Sequence, residues 1–388
     1  MPEKRRTAFR PERLQPSTSP DPIIPQILGS PDPEAEGEGF TEVRIVGVGG
    51  AGVNAVGRMI EAGLGGARFI SVNTDAQALG QSEALIQVQI GKRVARSMGT
   101  GGDPDLGQRA AEENRASLEA VLRGAHLVFI AVGLGGGTGT GAAPVIADLA
   151  RQADTLTVAV VTLPFVFEGT RRRKVAENGL MALRQYVDAM IVIPNDRLHQ
   201  VAGSGVSIKE AFSLADNMLR HGVQGIADLV TVPGLINLDF SDVRTVMEGA
   251  GSAMMSIGEG QGAHRAIEAA RAATESPLLE TSMRGARAAL LNITGSPDLT
   301  LAEVSEAAQV VTNLADPEAN IIFGAVVDPR LTDTVRVTLI ATGIERDAPA
   351  PPAAARRSPA PWRRAGIGPD AGTADSVGVP SFLRRGNR

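Results

Sequence analysis

Two glycine-rich stretches carry the first chemical signal. Arg44–Val56 reads RIVGVGGAGVNAV and places Gly47, Gly49 and Gly52 at G-x-G-x-x-G spacing, after a β-branched run and before a helical pattern. Glycine lets backbone come close to phosphate, and a helix N-terminus adds unpaired N–H donors and the positive end of a dipole. By itself this motif is weak. It suits a dinucleotide-binding Rossmann unit, with Asp75 about where a ribose-binding acid belongs, and it suits an unliganded strand-to-helix turn.

The second stretch, GLGGGTGTG from Gly133 to Gly141, is more specific. It follows the apolar run His126–Val132 and precedes a helical segment opened by Gly141 and continued through Pro144–Ala153. Its N–H groups can wrap a polyphosphate, and the Thr138 and Thr140 hydroxyls add donors. A dehydrogenase has no use for a second phosphate cradle, and a flexible linker would not separate a buried strand from a helix. The common phosphate-loop motif is absent, because Gly91-Lys92 is followed by Arg93, and there is no kinase catalytic-loop signature.

The remaining pattern must position these loops. Strands are expected at Val43–Val48, Arg68–Val72, His126–Val132, Leu156–Thr162 and Ala189–Ile193, with helices through Asn54–Ala62 and Glu112–Arg123 between them. Such alternation predicts an α/β fold with a parallel sheet covered on both faces. Ile208–Val230 is a long apolar-periodic helix without proline. Beyond it, strands Ala288–Ile293, Asn320–Val327 and Thr334–Ala341 with helices Ser241–Met247 and Leu301–Leu314 suggest a smaller α+β domain.

Composition narrows the classes. The chain has 388 residues, 43% of them hydrophobic, and a net charge of −5, so no broad basic surface argues for nucleic acid. There is no cysteine, which rules out disulfides, thiolate zinc sites and cysteine nucleophiles. The charged, proline-rich start is not a secretory signal, and no apolar run approaches the roughly 18 residues of a membrane helix.

GGGTGTG behind a strand is the signature of the tubulin superfamily. With PFVFEGTRRR, AFSLADNML and NLDFSD following in order, the chain resembles the tubulin/FtsZ family of GTPases, on its bacterial cell-division branch, from residue 41 to about 345. The C-terminal VPSFLRR extends the resemblance.

That resemblance implies a parallel Rossmann-like GTPase domain, a long central helix, a second smaller α+β domain and disordered termini. The partition is 1–40 disordered extension, 41–206 GTP-binding domain, 207–231 central helix, 232–345 α+β domain, 346–378 disordered linker and 379–388 partner-binding peptide. GTP or GDP with Mg²⁺ is the implied cofactor set. Phosphate contacts fall to Gly49, Gly50, Ala51, Gly52, Val53 and Asn54, and to Gly135, Gly136, Gly137, Thr138, Gly139 and Thr140. A third phosphate-side loop of the pattern G-x-G-A-G-x-x-P corresponds to SMGTGGDP, Ser97–Pro104, with Ser97 for the leading glycine and Thr100 for the alanine. Leu163 stands in place of the lysine usual before the proline of the sugar loop.

Glu168 would accept from ribose hydroxyls, Arg172 would approach sugar or phosphates, and Asn195 would contact base and ribose. Phe212 would stack on the base; at helical spacing such a ring is ordinarily core. Asp216 would accept from the guanine ring N–H and amine. Asn237, Asp239 and Asp242 would be catalytic, reaching the GTP of a neighbouring subunit, although an acid at Asp242 also looks like a helix N-cap. No side chain is assigned as a direct metal ligand. The implied partners are the chain itself, head to tail, and membrane-anchor and regulatory division proteins through Val379–Arg385, with no direct membrane insertion. The implied location is the cytoplasm, in a ring at midcell.

Overall fold

The β-branched run Val43–Val48 forms β1, and five further strands line up with it: β2 (Ala67–Asn73), β3 (Ile86–Gln89), β4 (Leu127–Gly133), β5 (Leu156–Leu163) and β6 (Ala189–Pro194). All six are parallel, in the order β3-β2-β1-β4-β5-β6. Parallel strands need helical crossovers that cover both faces, which is why β4 reads as an unbroken apolar run and β5 as one interrupted only by Thr157 and Thr162. The computed structural model describes residues 41–198, 200, 205–232, 234–236, 238–279 and 286–343. The expected extension, linker and C-terminal peptide lie outside the described residues, as does Asn237.

The helices are α1 (Gly49–Glu61), α2 (Ala76–Gly80), α3 (Pro104–Glu113), α4 (Arg115–Leu122), α5 (Thr138–Gln152), α6 (Thr170–Leu183), α7 (Ile208–Thr231), α8 (Phe240–Met247), α9 (Arg265–Thr274) and α10 (Leu301–Thr312). On one face of the sheet, Ile45, Phe129 and Val158 pack with Met59 of α1 and Leu219, Val223 and Ile226 of α7. On the other, Val46, Ile130 and Val161 pack with Leu118 of α4, Ile146 of α5 and Leu183 of α6.

The sheet continues past β6. Strand β7 (Gly251–Gln261) pairs in parallel with β6 through Ala189–Ile191, and β10 (Thr334–Thr342) runs antiparallel to β7 and to β8 (Ala288–Gly295). Strand β9 (Asn320–Val327) lies parallel to β8 at the edge. Here α9 and α10 bury Ala266, Ala270, Val304 and Val311 against β8 and β10.

Helix α7 belongs to both halves. Ser207 and Glu210 form a reciprocal capping box at its start, with Ser207 N–H donating to Glu210 at 2.8 Å. A Cβ at Gly222 would sit 2.8 Å from Val160 of β5, and one at Gly225 would sit 2.6 Å from Thr338 of β10. The missing side chains let the helix backbone rest on both strands.

Some elements differ from expectation. The helix expected to open at Gly141 starts at Thr138, so both threonines of the glycine loop lie in its first turn. The helix expected over Glu112–Arg123 is two helices, broken at Asn114, whose Oδ1 accepts from Gly91 N–H at 2.8 Å. Asparagine competes for backbone groups and so interrupts a helix. Strands β3 and β7 and helix α9 carried too little apolar patterning to be read: β7 holds glycines and Glu259, and α9 is half alanine.

Candidate functional site

The carboxyl ends of the parallel strands open onto one cavity of about 310 Å³. It lies over the point between β1 and β4 where the strand order reverses direction, the usual ligand crevice of an open α/β sheet. Across its wall, Thr100 and Gly102 come after β3, Gly49–Ala51 after β1, Gly133 ends β4 with Leu134 and Gly136–Gly139 after it, Glu168 and Arg172 come after β5, and Asn195 after β6. Phe212 and Asp216 of α7 close the far side.

The two glycine loops interlock. Gly49 has φ +70°, a left-handed conformation that favours glycine, and a Cβ there would lie 2.9 Å from Gly139 N. At Gly52 an added Cβ would collide with the Ala131 carbonyl of β4, so that glycine serves the approach of α1 to the sheet. Gly50 and Gly136 differ: among the described residues nothing lies within 4 Å of an added Cβ at either. Both line the cavity, where their bare backbone leaves room for a ligand.

Thr138 lines the cavity, and its Oγ1 sits 2.7 Å from Thr74 Oγ1 and 3.4 Å from Thr100 Oγ1. The Thr140 hydroxyl turns inward and accepts from Gly135 N–H at 2.9 Å, tying the glycine loop to the first turn of α5. Gly52, Val53, Asn54, Gly135 and Thr140 therefore stand behind or beside the cavity rather than in its wall. Val53 and Asn54 border an adjoining depression with Gly50, Arg58 and Asp216.

At the other end, Glu168 accepts from Phe165 N–H at 2.9 Å and pairs with Arg172 at 2.6 Å. Asn195 is buried, and its Oδ1 has no partner among the described residues. A buried orphan acceptor beside a cavity fits a ligand hydroxyl or N–H group. Phe212 stands edge-on to Phe165 (5.5 Å between centroids) and to Phe167 (6.2 Å), and those two rings stack at 5.0 Å. At 41% exposure Phe212 is not a core residue; it presents an aromatic surface at the cavity wall.

Asp216 lies one helical turn further on. Burial pushes its carboxyl up to about 6, against the Arg58 guanidinium, whose Nε approaches Oδ2 at 3.4 Å. Arg58 also donates to Ser213 at 3.1 Å. A lone sequence does not connect Arg58 with a residue 158 positions away. The threonine contacts and the meeting of Phe165 and Phe167 with Phe212 were likewise missed, since only the fold brings those segments together. Asp75, the acid a dinucleotide reading would place on ribose, instead caps α2 by accepting from Gln77 and Ala78 N–H.

Asp239 and Asp242 do not line this cavity. Asp239 borders a separate groove of about 750 Å³ with Thr41–Val43, Gly66–Arg68 and Phe240, at the amino ends of β1 and β2. Asp239 is the N-cap of α8, and Asp242 is the third helical residue. Hydrogen bonds from the Ser241 hydroxyl and then from Asp242 N–H hold the Asp239 carboxyl below its ordinary range.

Comparison with known proteins decides the family. Residues 42–203 match the Tubulin/FtsZ family GTPase domain, and residues 251–345 match the FtsZ family C-terminal domain. This chain belongs to the FtsZ family of tubulin-like GTPases. A mutant FtsZ of M. jannaschii is 45% identical with a TM-score of 0.76, covering 78% of this chain and 91% of that one. An empty FtsZ dimer from the same organism is 43% identical with a TM-score of 0.78, covering 84% and 93%. CetZ2 from Haloferax volcanii, in a GTPγS-bound protofilament, is 25% identical with a TM-score of 0.67, covering 79% and 94%. FtsZ-family membership makes this a guanine-nucleotide enzyme with a GTPase domain. Among the described residues no helix is long and apolar enough to cross a membrane.

Proposed function

We propose that the protein binds GTP in the cavity above β1 and β4 and hydrolyses it after head-to-tail assembly, with Asp239 and Asp242 of one subunit acting on the nucleotide of the next. One observation carries this reading: the cavity sits at the carboxyl ends of the strands, and Asp239 sits at the amino ends of β1 and β2. The two halves of the chemistry are separated by the length of β1, about 20 Å at a strand's usual rise. Stacking one subunit's amino-end face on the next subunit's carboxyl-end face would join them. Such a contact is heterologous and propagates as an open filament.

Within the site, the Gly49–Ala51 and Gly136–Gly139 backbones would cradle the phosphates, and Glu168 and Asn195 would hold the ribose. Phe212 would lie against the base, and Asp216 would select guanine through its paired N–H donors, which adenine lacks. Hydrolysis requires an in-line water polarised by an acid, the role given to Asp239 and Asp242. Among the described residues no group of three His, Cys, Asp or Glu side chains is placed to hold a metal. A Mg²⁺ would travel with the nucleotide, held on its phosphates, and neutralise charge there. Removal of the terminal phosphate would weaken the subunit contact and couple turnover to disassembly.

The functional partition is a GTP-binding part over 41–206, the central helix over 207–231 and a part over 232–345 that brings the catalytic loop. The cellular role is the division ring at midcell in the cytoplasm, with Val379–Arg385 as the peptide that joins filaments to membrane-anchor and regulatory proteins. The solved M. jannaschii dimer and the CetZ2 protofilament support self-association as a property of relatives. The test is phosphate release followed together with light scattering, with GTP and Mg²⁺, across a protein dilution series. Specific activity should collapse at concentrations where scattering disappears; constant specific activity in dilute monomer would overturn the shared site.

A further inference from the structure

The groove that Asp239 borders is also where the N-terminal segment joins the fold. Thr41, Glu42 and Val43 form part of its wall, and Thr41 is the first described residue. The course of the chain is fixed there. His126 and Leu127 N–H both donate to the Glu42 carbonyl, at 2.9 and 3.3 Å, and Glu42 N–H donates to His126 Nδ1 at 3.0 Å. Residues 1–40 are therefore tethered at the rim of this groove, at the opposite end of β1 from the nucleotide cavity.

Apolar side chains that the core uses only in part line the groove. Ala67, Val230, Leu238 and Phe240 pack against the core on one side and keep surface on the other, and Val232 beside them is also half-buried. The Phe240 ring faces His126, with centroids 6.3 Å apart. Arg68 pairs with Glu42 at 3.3 Å, so those two wall charges offset each other. Such a surface suits an uncharged apolar strip.

Residues 1–40 hold one run of that kind. PIIPQIL, Pro22–Leu28, carries no charge, whereas Lys4, Arg5, Arg6, Arg10 and Arg13 precede it and Asp32, Glu34, Glu36 and Glu38 follow it. Proline donates no backbone hydrogen bond and favours the polyproline II helix, with three residues per turn. At that period Pro22, Pro25 and Leu28 form one ridge, Ile24 and Ile27 the next, and Ile23 and Gln26 the third. Two neighbouring ridges are then wholly apolar, which is how a P-x-x-P segment lies on an aromatic-lined groove.

The reach suffices. Residues 29–40 can span up to about 40 Å when extended. A tether this short keeps the run at an effective concentration of the order of millimolar, so a weak contact is enough to fill the groove.

We propose that Pro22–Leu28 docks in the groove of its own subunit and competes there with the next subunit, so that the N-terminal segment holds assembly in check. The competition rests on the proposed head-to-tail contact, which would cover Asp239; the docking itself does not.

The chain has no cysteine, so an introduced pair reports a single proximity. In full-length protein below the concentration at which it scatters light, Gln26→Cys with Val232→Cys should be joined within one subunit by a short bismaleimide. Adding Ile24→Asp and Ile27→Asp should slow that cross-link about tenfold or more, because the groove cannot solvate two carboxylates. Adding Ile23→Asp, on the outward ridge, should leave it unchanged. In the otherwise unaltered full chain, Ile24→Asp with Ile27→Asp should lower the protein concentration at which GTP and Mg²⁺ produce scattering by about twofold or more, as for a groove occupied at least half the time. A synthetic peptide of residues 20–30, supplied at millimolar concentration, should restore the wild-type threshold. A cross-link that is absent, that forms between subunits, or that is indifferent to which ridge is charged overturns the docking. An unchanged threshold overturns the check on assembly. Scattering from neither wild type nor variant would remove the head-to-tail reading and the check with it, while the cross-link still decides the docking.

Discussion

Asp239 and Asp242 hydrogen-bond each other reciprocally: Asp242 N–H donates to Asp239 Oδ1 at 2.9 Å, and Asp239 N–H donates to Asp242 Oδ2 at 3.3 Å. The pair forms a capping box at the start of α8, so each acid has a structural duty beside the catalytic one proposed for it.

That double duty shapes the first prediction. Asp242→Ala should bind GTP and assemble but turn over far more slowly, and should lose about 1 kcal/mol of stability with the cap. Asp242→Asn keeps an acceptor for Asp239 N–H and removes the charge. It should recover the thermal midpoint without recovering phosphate release. Recovery of both would reduce Asp242 to a cap.

With Asp216 on the base, nucleotide affinity should depend on pH. Its carboxyl, raised to about 6 mainly by burial, must be ionised to accept two N–H donors. GTP affinity should fall as pH drops through about 6, approaching tenfold per unit where one proton is taken up. In the ligand-free protein the folded state holds this proton more tightly than the unfolded chain. The group therefore contributes stability below about pH 4, and that contribution is lost as pH rises toward 6. Asp216→Asn should remove this part of the slope in denaturant titrations from pH 4 to 7, and should weaken guanine binding.

Asn195 has a buried acceptor without a partner among the described residues, so a ligand group can gain a hydrogen bond there at no cost to the fold. Asn195→Leu should lower GTP affinity by about tenfold, the worth of one neutral bond, while leaving the ligand-free thermal midpoint unchanged or raised. Calorimetric titration and thermal unfolding together check this; a large drop in midpoint with unchanged affinity would contradict it.

The glycines divide into two classes. Gly52→Ala should destabilise by about 1–3 kcal/mol, because its methyl would run into the Ala131 carbonyl of β4. Gly136→Ala should fold as the wild type does, since among the described residues nothing lies within 4 Å of its new methyl, yet bind nucleotide poorly because that space faces the cavity. Thermal melts with and without GTP separate the two effects.

Deletion from Val379 should leave assembly-coupled phosphate release intact while abolishing binding to an anchor partner. Loss of GTP turnover in the truncated protein would argue against a tether role for this peptide.

Much of the site was legible because backbone-phosphate chemistry needs particular residue types close together in the chain. Gly49–Ala51 and Gly136–Gly139 line the cavity from loops that strand and helix patterning had already located. The parallel core β1–β2 and β4–β6 was readable for the same local reason: strands buried on both faces are mostly apolar and β-branched. Strand β7, with its glycines, and the alanine-rich α9 were not, because they are defined by what packs on them.

The residue types and their spacing alone located the two glycine loops and the candidate acids, and the motifs in order carried the family resemblance. Only the tertiary structure decided which of those residues share a space. It drew Arg58 to Asp216 and gathered Thr74, Thr100 and Thr138 around one hydroxyl contact. It also put Asp239 at the far end of the strands from the cavity. Local chemistry is written in short runs of sequence, whereas distances between loops depend on strand order and on how helices cross the sheet.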